Sequence, residues 1–194
     1  MTAQTRENPT STHHMKLAGI PASAEALAIA ELMAGKYGTA PASLVHVAVN
    51  DRALGTLASA LEFFAPDLTV LHFPAWDCMP YDRVSPHASI MATRMEVLSQ
   101  LVSGEVKKPF VLLTTATAAI QKLPPKSLMR AVTLQLKKSQ HISQDTIVAF
   151  LATAGYRRVG KAIEPGEFAL RGSIMDIVPP ALGDGIRLDW FGNE

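Results

Sequence analysis

With 194 residues, 48% of them hydrophobic and 18% charged, the chain has an ordinary globular composition and enough material to bury a real core. A formal net charge of +1 excludes a uniformly basic surface for non-specific nucleic-acid binding. No apolar run approaches the roughly 20 residues that span a bilayer, so no membrane partner is expected. The single cysteine, Cys78, excludes an internal disulfide and a cysteine-built zinc cluster, fits a reducing cytoplasm, and has no sequence neighbour that would activate its thiol.

Met1–His14 is polar, lacks the apolar core of a signal peptide and is expected to be a disordered tail; His13-His14 is read as part of it, not as a metal site. Lys16–Gly19 is a short apolar run. Ala22–Tyr37 follows as an expected helix, capped by Ser23 and followed by Gly38. Leu27, Ile29, Leu32 and Met33 make it apolar nearly all round, the mark of a buried helix. Leu44–Val49, Leu68–Phe73 and Phe110–Thr114 read as strands. Between the first two, a helix starting at Asn50 or Asp51 carries Leu54, Leu57, Ala58, Leu61 and Phe64 on one stripe. Ser89–Val102 reads as a helix that turns Met91, Met95, Leu98, Leu101 and Val102 to the core; core packing is preferred over an adaptable methionine groove. Thr115–Lys122 continues from the third strand. Strands alternating with helices predict an α/β fold over residues 15–128, a parallel sheet covered on both faces. His46 and His72 lie in apolar runs and are expected to be core or edge residues. Asp77 and Asp82 fall in a proline-rich stretch from Pro74 to Pro86, read as an ordered loop held by Trp76 and Tyr81 and not as a catalytic carboxylate pair.

Leu123-Pro124-Pro125 breaks the pattern, and a smaller α+β domain is expected over residues 129–194. It begins with a strand at Ala131–Leu136 and a helix at Ser143–Ala154, capped by Ser143 and closed by Gly155. Polar and apolar residues then alternate: Phe168 and Leu170 on one face, Glu167, Ala169 and Arg171 on the other, with Gly166, Gly172 and Gly183 where turns need them. Arg157, Arg158 and Lys161 stand just upstream, so the arginine-bearing face of this small antiparallel sheet is the expected working surface. The chain stops at Trp190-Phe191-Gly192-Asn193-Glu194, directly after a strand-like run, so the sheet is expected to be truncated and the chain to be a piece of a longer protein. Lys107, Lys108, Lys122, Lys126, Arg130, Lys137 and Lys138 are opposed only by Glu105. They read as a solvated face, with a weak DNA contact through Lys107, Lys108, Lys137 and Lys138 as the minority reading; no aromatic residues interleave to stack single-stranded bases.

Three motifs in this last region are specific: Gly-Tyr-x-Arg at Gly155–Arg158, Pro-Gly-Glu-Phe-x-x-Arg-Gly-x-Ile-x-Asp-Ile-x-Pro at Pro165–Pro179, and Arg-x-Asp-Trp-Phe-Gly at Arg187–Gly192. Together they resemble the transcription-repair coupling factors (Mfd) and, more distantly, the excision-repair subunit UvrB. The upstream segment Phe73-Pro-Ala-Trp-Asp-Cys-Met-Pro-Tyr-Asp-Arg-Val-Ser-Pro is similar to the coupling factors' own, and the resemblance covers about Met15 to the end. It implies a degenerate P-loop-helicase-like sheet domain, like UvrB domain 1a, followed by a UvrB domain 2-like α+β domain that binds UvrA, the damage sensor of nucleotide excision repair. It implies that Arg158 and Arg171 match positions that contact UvrA, with Phe168 in the same motif and Arg157 beside it; Ala169 departs from UvrB, which has a second arginine there. The resemblance further implies a full-length ATP-dependent DNA translocase that displaces stalled RNA polymerase from double-stranded DNA. Its ATP and magnesium would be bound elsewhere, with no cofactor in this stretch, and its UvrA surface can be masked by its own C-terminal domain.

Where UvrB and its helicase relatives carry the phosphate loop G-x-x-x-x-G-K-[ST], this chain has Gly19-Ile20-Pro21-Ala22-Ser23-Ala24-Glu25-Ala26. That loop works through glycine N–H groups, a lysine on the phosphates and a hydroxyl on magnesium. Ala24 replaces the second glycine, Glu25 the lysine and Ala26 the hydroxyl residue. A helix N-terminus favours an anion by only about 0.3–1 kcal/mol at an exposed site, too little to offset both losses and a misplaced carboxylate. The stretch is expected neither to bind ATP tightly nor to hydrolyse it. No H-x-E…C-x-x-C, H-E-x-x-H or G-x-S-x-G motif offers another catalytic centre. The expected function is recruitment of UvrA in transcription-coupled nucleotide excision repair; the alternative is a DNA-binding repair module acting through the basic residues.

Overall fold

The computed structural model describes residues 2–6, 14–79, 83–180 and 184–191, with side chains from Lys16 onward. His13, Tyr81, Asp82 and Gly183 lie outside the described residues. The chain divides into two compact units, Met1–Ala75 with Val106–Ile120, and Trp76–Glu105 with Gln121–Glu194. Among the described residues no helix is long and apolar enough to cross a membrane.

The first unit opens with β1 (Thr2–Arg6) and β2 (His14–Ala18), paired antiparallel from Thr2 opposite Ala18 to Arg6 opposite His14. Residues expected in a disordered tail thus form a strand, which gives the backbone groups of the apolar run at Lys16–Ala18 ladder partners. A single 3₁₀ turn at Ala22–Ala24 leads into α1 (Glu25–Met33). Neither start has a side-chain cap: Ser23 lies inside the 3₁₀ turn, so it does not cap the helix as expected. The helix also stops early. Gly35, at φ +79°, takes the left-handed position assigned to Gly38, and a Cβ there would lie 3.1 Å from the Gly38 carbonyl oxygen. Ala26, Ala28, Ile29 and Met33 are buried, but Leu27 is 40% exposed, so burial is one-sided.

β3 (Ser43–Ala48), β4 (Thr69–Phe73) and β5 (Phe110–Thr115) form the expected parallel sheet, in the order β3-β5-β4. The α2 helix (Asp51–Phe64) starts at Asn50, whose side chain accepts the Ala53 N–H at 2.9 Å. Leu54, Leu57 and Leu61 of α2 pack with Ala26, Ile29 and Met33 of α1 on Ala48, Val111 and Leu113 of the sheet. On the other face Val45 and Val47 of the edge strand β3 stand 58% and 50% exposed, so cover on both faces is not seen at β3. A short α4 (Ala116–Ile120) follows β5, with Thr115 Oγ1 accepting the Ala118 N–H at 3.3 Å.

In the second unit, α3 (Ala88–Ser103) packs on α5 (Lys126–Ala131), which is why Trp76–Glu105 goes with the C-terminal part despite the boundary expected near Met129. The buried positions of α3 are Ala92, Arg94 and Val97, whereas Met91 and Met95 are 38% and 39% exposed. The methionine stripe is turned outward because an arginine holds the inside. Arg94 lies 4.2 Å over the Trp76 ring and donates to Gln121 Oε1 at 3.1 Å, and the Trp76 N–H donates to the same oxygen at 3.0 Å. The strand expected at Ala131–Leu136 does not form: α5 ends at Ala131 and residues 133–136 have no regular structure. Pro125 sits at its N-cap, Met129 is buried, and Thr133 Oγ1 donates to the Met129 carbonyl at 2.7 Å. Leu134 reaches the core without a ladder partner, so its alternation with polar neighbours only imitates a strand.

The α6 helix (Gln144–Thr153) is capped as expected by Ser143 Oγ, which accepts the Thr146 N–H at 3.2 Å, and closed by Gly155 at φ +84°. It covers a four-stranded sheet of β6 (Arg157–Arg158), β7 (Glu167–Arg171), β8 (Ile174–Val178) and β9 (Ile186–Asp189), in that order. β6 runs parallel to β7; the other pairs are antiparallel. Trp190 closes the core, its Nε1 donating to the Ile142 carbonyl at 2.7 Å.

Core and edge positions of the first unit should respond differently to truncation. Leu61→Ala, at a position with no exposure, is expected to cost about 2–5 kcal/mol, while Val47→Thr changes stability by less than about 0.5 kcal/mol. Urea midpoints of the two variants check this.

Candidate partner-binding site

Strand pairing assigns every residue of the C-terminal sheet to a face. Phe168 lies opposite Ile177, Leu170 opposite Met175 and Met175 opposite Leu188. With Ile147, Leu151 and Trp190 these residues make the core under α6. Phe168 is 2% exposed, so the expected contact between its ring and a partner is overturned: the alternation that lifts Arg171 outward turns Phe168 inward. The opposite face carries Glu167, Ala169 and Arg171, the row Ala169–Asp176–Arg187, and Asp189 in the row of Arg171 and Ile174.

Glu167 organises one end of that face. It is 7% exposed, and its carboxylate accepts three donors: the Ile163 and Glu164 N–H groups, each at 3.0 Å through Oε2, and Arg157 Nη2 at 2.5 Å through Oε1. The backbone donors Glu164 and Ile163, then the Arg157 guanidinium, hold its carboxyl below the usual carboxylate range. Arg157 itself keeps an exposed side chain, with Glu164 Oε2 at 3.8 Å as a second neighbour. Arg171 grips the other end of the same loop, where its Nε donates to the Gly160 carbonyl at 3.0 Å and its Nη2 to the same oxygen. The segment 159–166 is thus pinned at both ends by side chains of β7 and by its own backbone, Arg157 N–H donating to the Gly166 carbonyl at 2.8 Å.

The remaining charges balance in pairs. Arg187 binds Asp176 at two points, Nε to Oδ1 at 2.6 Å and Nη2 to Oδ2 at 3.0 Å. That hydrogen-bonded arginine, and then the charges of Arg187 and Arg171, keep the Asp176 carboxyl low, while the same pairing raises Arg187. Reading the alternation of β7 alone misses this pair. The signal was available, since Asp176 and Arg187 fall in two of the quoted motifs and period-2 counting across the hairpin places them in one row. Arg158 differs from the others. It is exposed on the edge strand β6, opposite Phe168 rather than Glu167, and its side chain has no hydrogen bond or ion pair among the described residues. The register therefore separates the two matched arginines: Arg171 belongs to the charged face, Arg158 to the sheet edge on the face of Phe168.

The phosphate-loop positions belong to the first unit. Gly19 turns the chain at φ +74°, Ser23 is exposed, Ala24 precedes α1, and Glu25 opens α1 with Oε1 3.7 Å from His46 Nε2; Ala26 is buried. The start of α1 thus carries a carboxylate facing an imidazole where a phosphate loop would have its lysine. Lys107 and Lys108 belong to the first unit and Lys137 and Lys138 to the second, all exposed.

Residues 134–194, which contain α6 and the whole four-stranded sheet, match the UvrB interaction domain. Over longer stretches the chain is similar to curated proteins that carry one name. It is 33% identical over 188 residues to the transcription-repair-coupling factor of Haemophilus influenzae, covering 96% of this chain and 16% of that protein. It is 34% identical over 142 residues to that of Rickettsia bellii (73% of this chain, 12% of the relative) and over 128 residues to that of Escherichia coli (66% and 11%). The chain belongs to the transcription-repair-coupling factor family. It spans less than a fifth of the length of these coupling factors. Within the family match, the coupling-factor sheet presents Arg158, Arg171 and the pinned loop between them.

Because the Glu167 pKa is depressed, its contribution is complete above the ordinary carboxylate value and is lost as pH falls through the folded-state value. Glu167→Gln should therefore be less stable than the parent at neutral pH, with the gap narrowing as pH drops below about 4. A urea-denaturation series from pH 7 to 3 measures it, and a gap independent of pH would count against the assignment.

Proposed function

We propose that this chain is the UvrA-recruiting part of a transcription-repair coupling factor, and that it does so through the exposed arginines of its C-terminal sheet. The observation that carries the reading is the coincidence of two independent facts: the segment matching the UvrB interaction domain is the one that holds Arg158 and Arg171 exposed on a rigid, α6-backed sheet. Arginine forks pair with carboxylates and are frequent hot spots of interfaces, so an acidic surface on UvrA is the natural complement. Arg157, engaged by Glu167, acts mainly on its own loop in this reading. The first unit serves as a degenerate P-loop-helicase-like domain of the UvrB domain 1a kind, without ATP or magnesium of its own, since Glu25 stands where the lysine is needed. The complete coupling factor would be an ATP-driven translocase acting on double-stranded DNA and on stalled RNA polymerase in the cytoplasm, with its nucleotide site outside this chain.

Titration with purified UvrA tests the reading. The parent chain should bind, Arg158→Ala or Arg171→Ala should weaken binding by roughly tenfold or more, and neither variant should lose its fold. Unchanged affinity in both variants rejects the arginine assignment. Salt-sensitive binding of duplex DNA in place of UvrA would favour a DNA-binding module acting through the lysines. In thermal melts, ATP with magnesium should leave the melting temperature unmoved.

A further inference from the structure

The loop 159–166 combines two properties that seldom coincide in one exposed segment. Its backbone is fixed: Arg171 holds the Gly160 carbonyl, and Glu167 holds the Ile163 and Glu164 N–H groups. The Ile163 side chain is not directed inward: it is 68% exposed although its own N–H is anchored on a nearly buried carboxylate. A β-branched residue held this way loses little conformational freedom on meeting a partner, and preorganisation of that kind strengthens binding without adding contacts. Charged groups of both signs lie on this loop and on the strands that flank it. The Arg157 guanidinium is paired with Glu167 and near Glu164, the Arg171 guanidinium rests on the Gly160 carbonyl, and Lys161 is exposed two residues before Ile163. Lys161 makes no side-chain ion pair among the described residues.

We propose that Ile163 is the apolar anchor of the docking surface, seating in an apolar socket with an acidic rim on the partner, and that Glu167 and Arg171 are positioning residues which hold it there. The proposal rests on the UvrA reading above and names the part of the surface that would carry affinity as distinct from charge recognition. An exposed apolar residue with polar neighbours on the same loop is the arrangement expected of an interface hot spot shielded by a polar rim. Continuity supports the occupant, because Glu167 and Arg171, which fix the loop, stand on the sheet that carries the matched arginines.

The test is a double-mutant cycle read by calorimetric titration of the chain with purified UvrA, with Arg158→Ala run in parallel. Ile163→Ala should weaken binding about tenfold with an unchanged melting temperature, and Ile163→Leu should retain most of the affinity. Glu167→Ala should weaken binding in the parent but have little further effect in the Ile163→Ala background, since a positioning residue acts through the group it positions. If the parent binds and Arg158→Ala weakens it, but Ile163→Ala leaves affinity unchanged, the anchor is refuted and the UvrA reading stands. Additive losses for Glu167→Ala and Ile163→Ala would refute the positioning role. No binding by the parent would overturn the UvrA reading and the anchor with it.

Discussion

A carboxylate only 7% exposed must find donors, and at Glu167 the chain supplies them from its own loop: two consecutive backbone N–H groups and one guanidinium. Everything distinctive about the C-terminal sheet follows from this. Because Ile163 and Glu164 turn their N–H groups to Glu167, the segment after the short strand Arg157–Arg158 folds back onto the strand beginning at Glu167. Because Arg157 answers the same carboxylate, its charge is matched locally, and Arg158 next to it is left without a carboxylate partner on the open edge. Arg171, at the far end of the same strand, completes the frame through a carbonyl oxygen, which orients its guanidinium without neutralising it.

This frame changes what the arginines mean. A run of basic residues beside a strand suggests a positive face, yet the pairs Arg157–Glu167 and Arg187–Asp176 leave most of that face balanced. The more exposed pair, Arg187–Asp176, contributes little to stability, so its value lies in geometry and in selectivity. What remains for the proposed recognition is sparse: Arg158 at the edge, Arg171 on the face, and a loop with an apolar tip. Ala169, in the row of Asp176 and Arg187, is buried and adds no charge of its own.

Much of the fold was legible in the residues. The strands at 43–48, 69–73 and 110–115 and the capped helices after Asn50 and Ser143 follow from local rules, because each has its own apolar period and its own stop or start residue. The misreadings share a cause: contacts distant in sequence. Val132, Leu134 and Leu136 alternate like a strand but find no neighbouring strand; Met91 and Met95 form a helical stripe that Arg94 displaces by stacking on Trp76. At the site, exposed arginines could be foreseen at Arg158 and Arg171, and the parity of Phe168 already pointed inward. The anchoring of Gly160, Ile163 and Glu164 could not be read beforehand, since no periodicity encodes a loop that hydrogen-bonds to side chains of the following strand.

The account stands on the claim that Glu167 holds the loop in place, and amide hydrogen exchange reads it most directly. In the parent chain the amides of Ile163 and Glu164 should exchange slowly at neutral pH, and in Glu167→Ala they should become fast while the amides of the helix over 144–153 stay protected. Fast exchange at Ile163 and Glu164 in the parent, or protection unchanged in the variant, would contradict it.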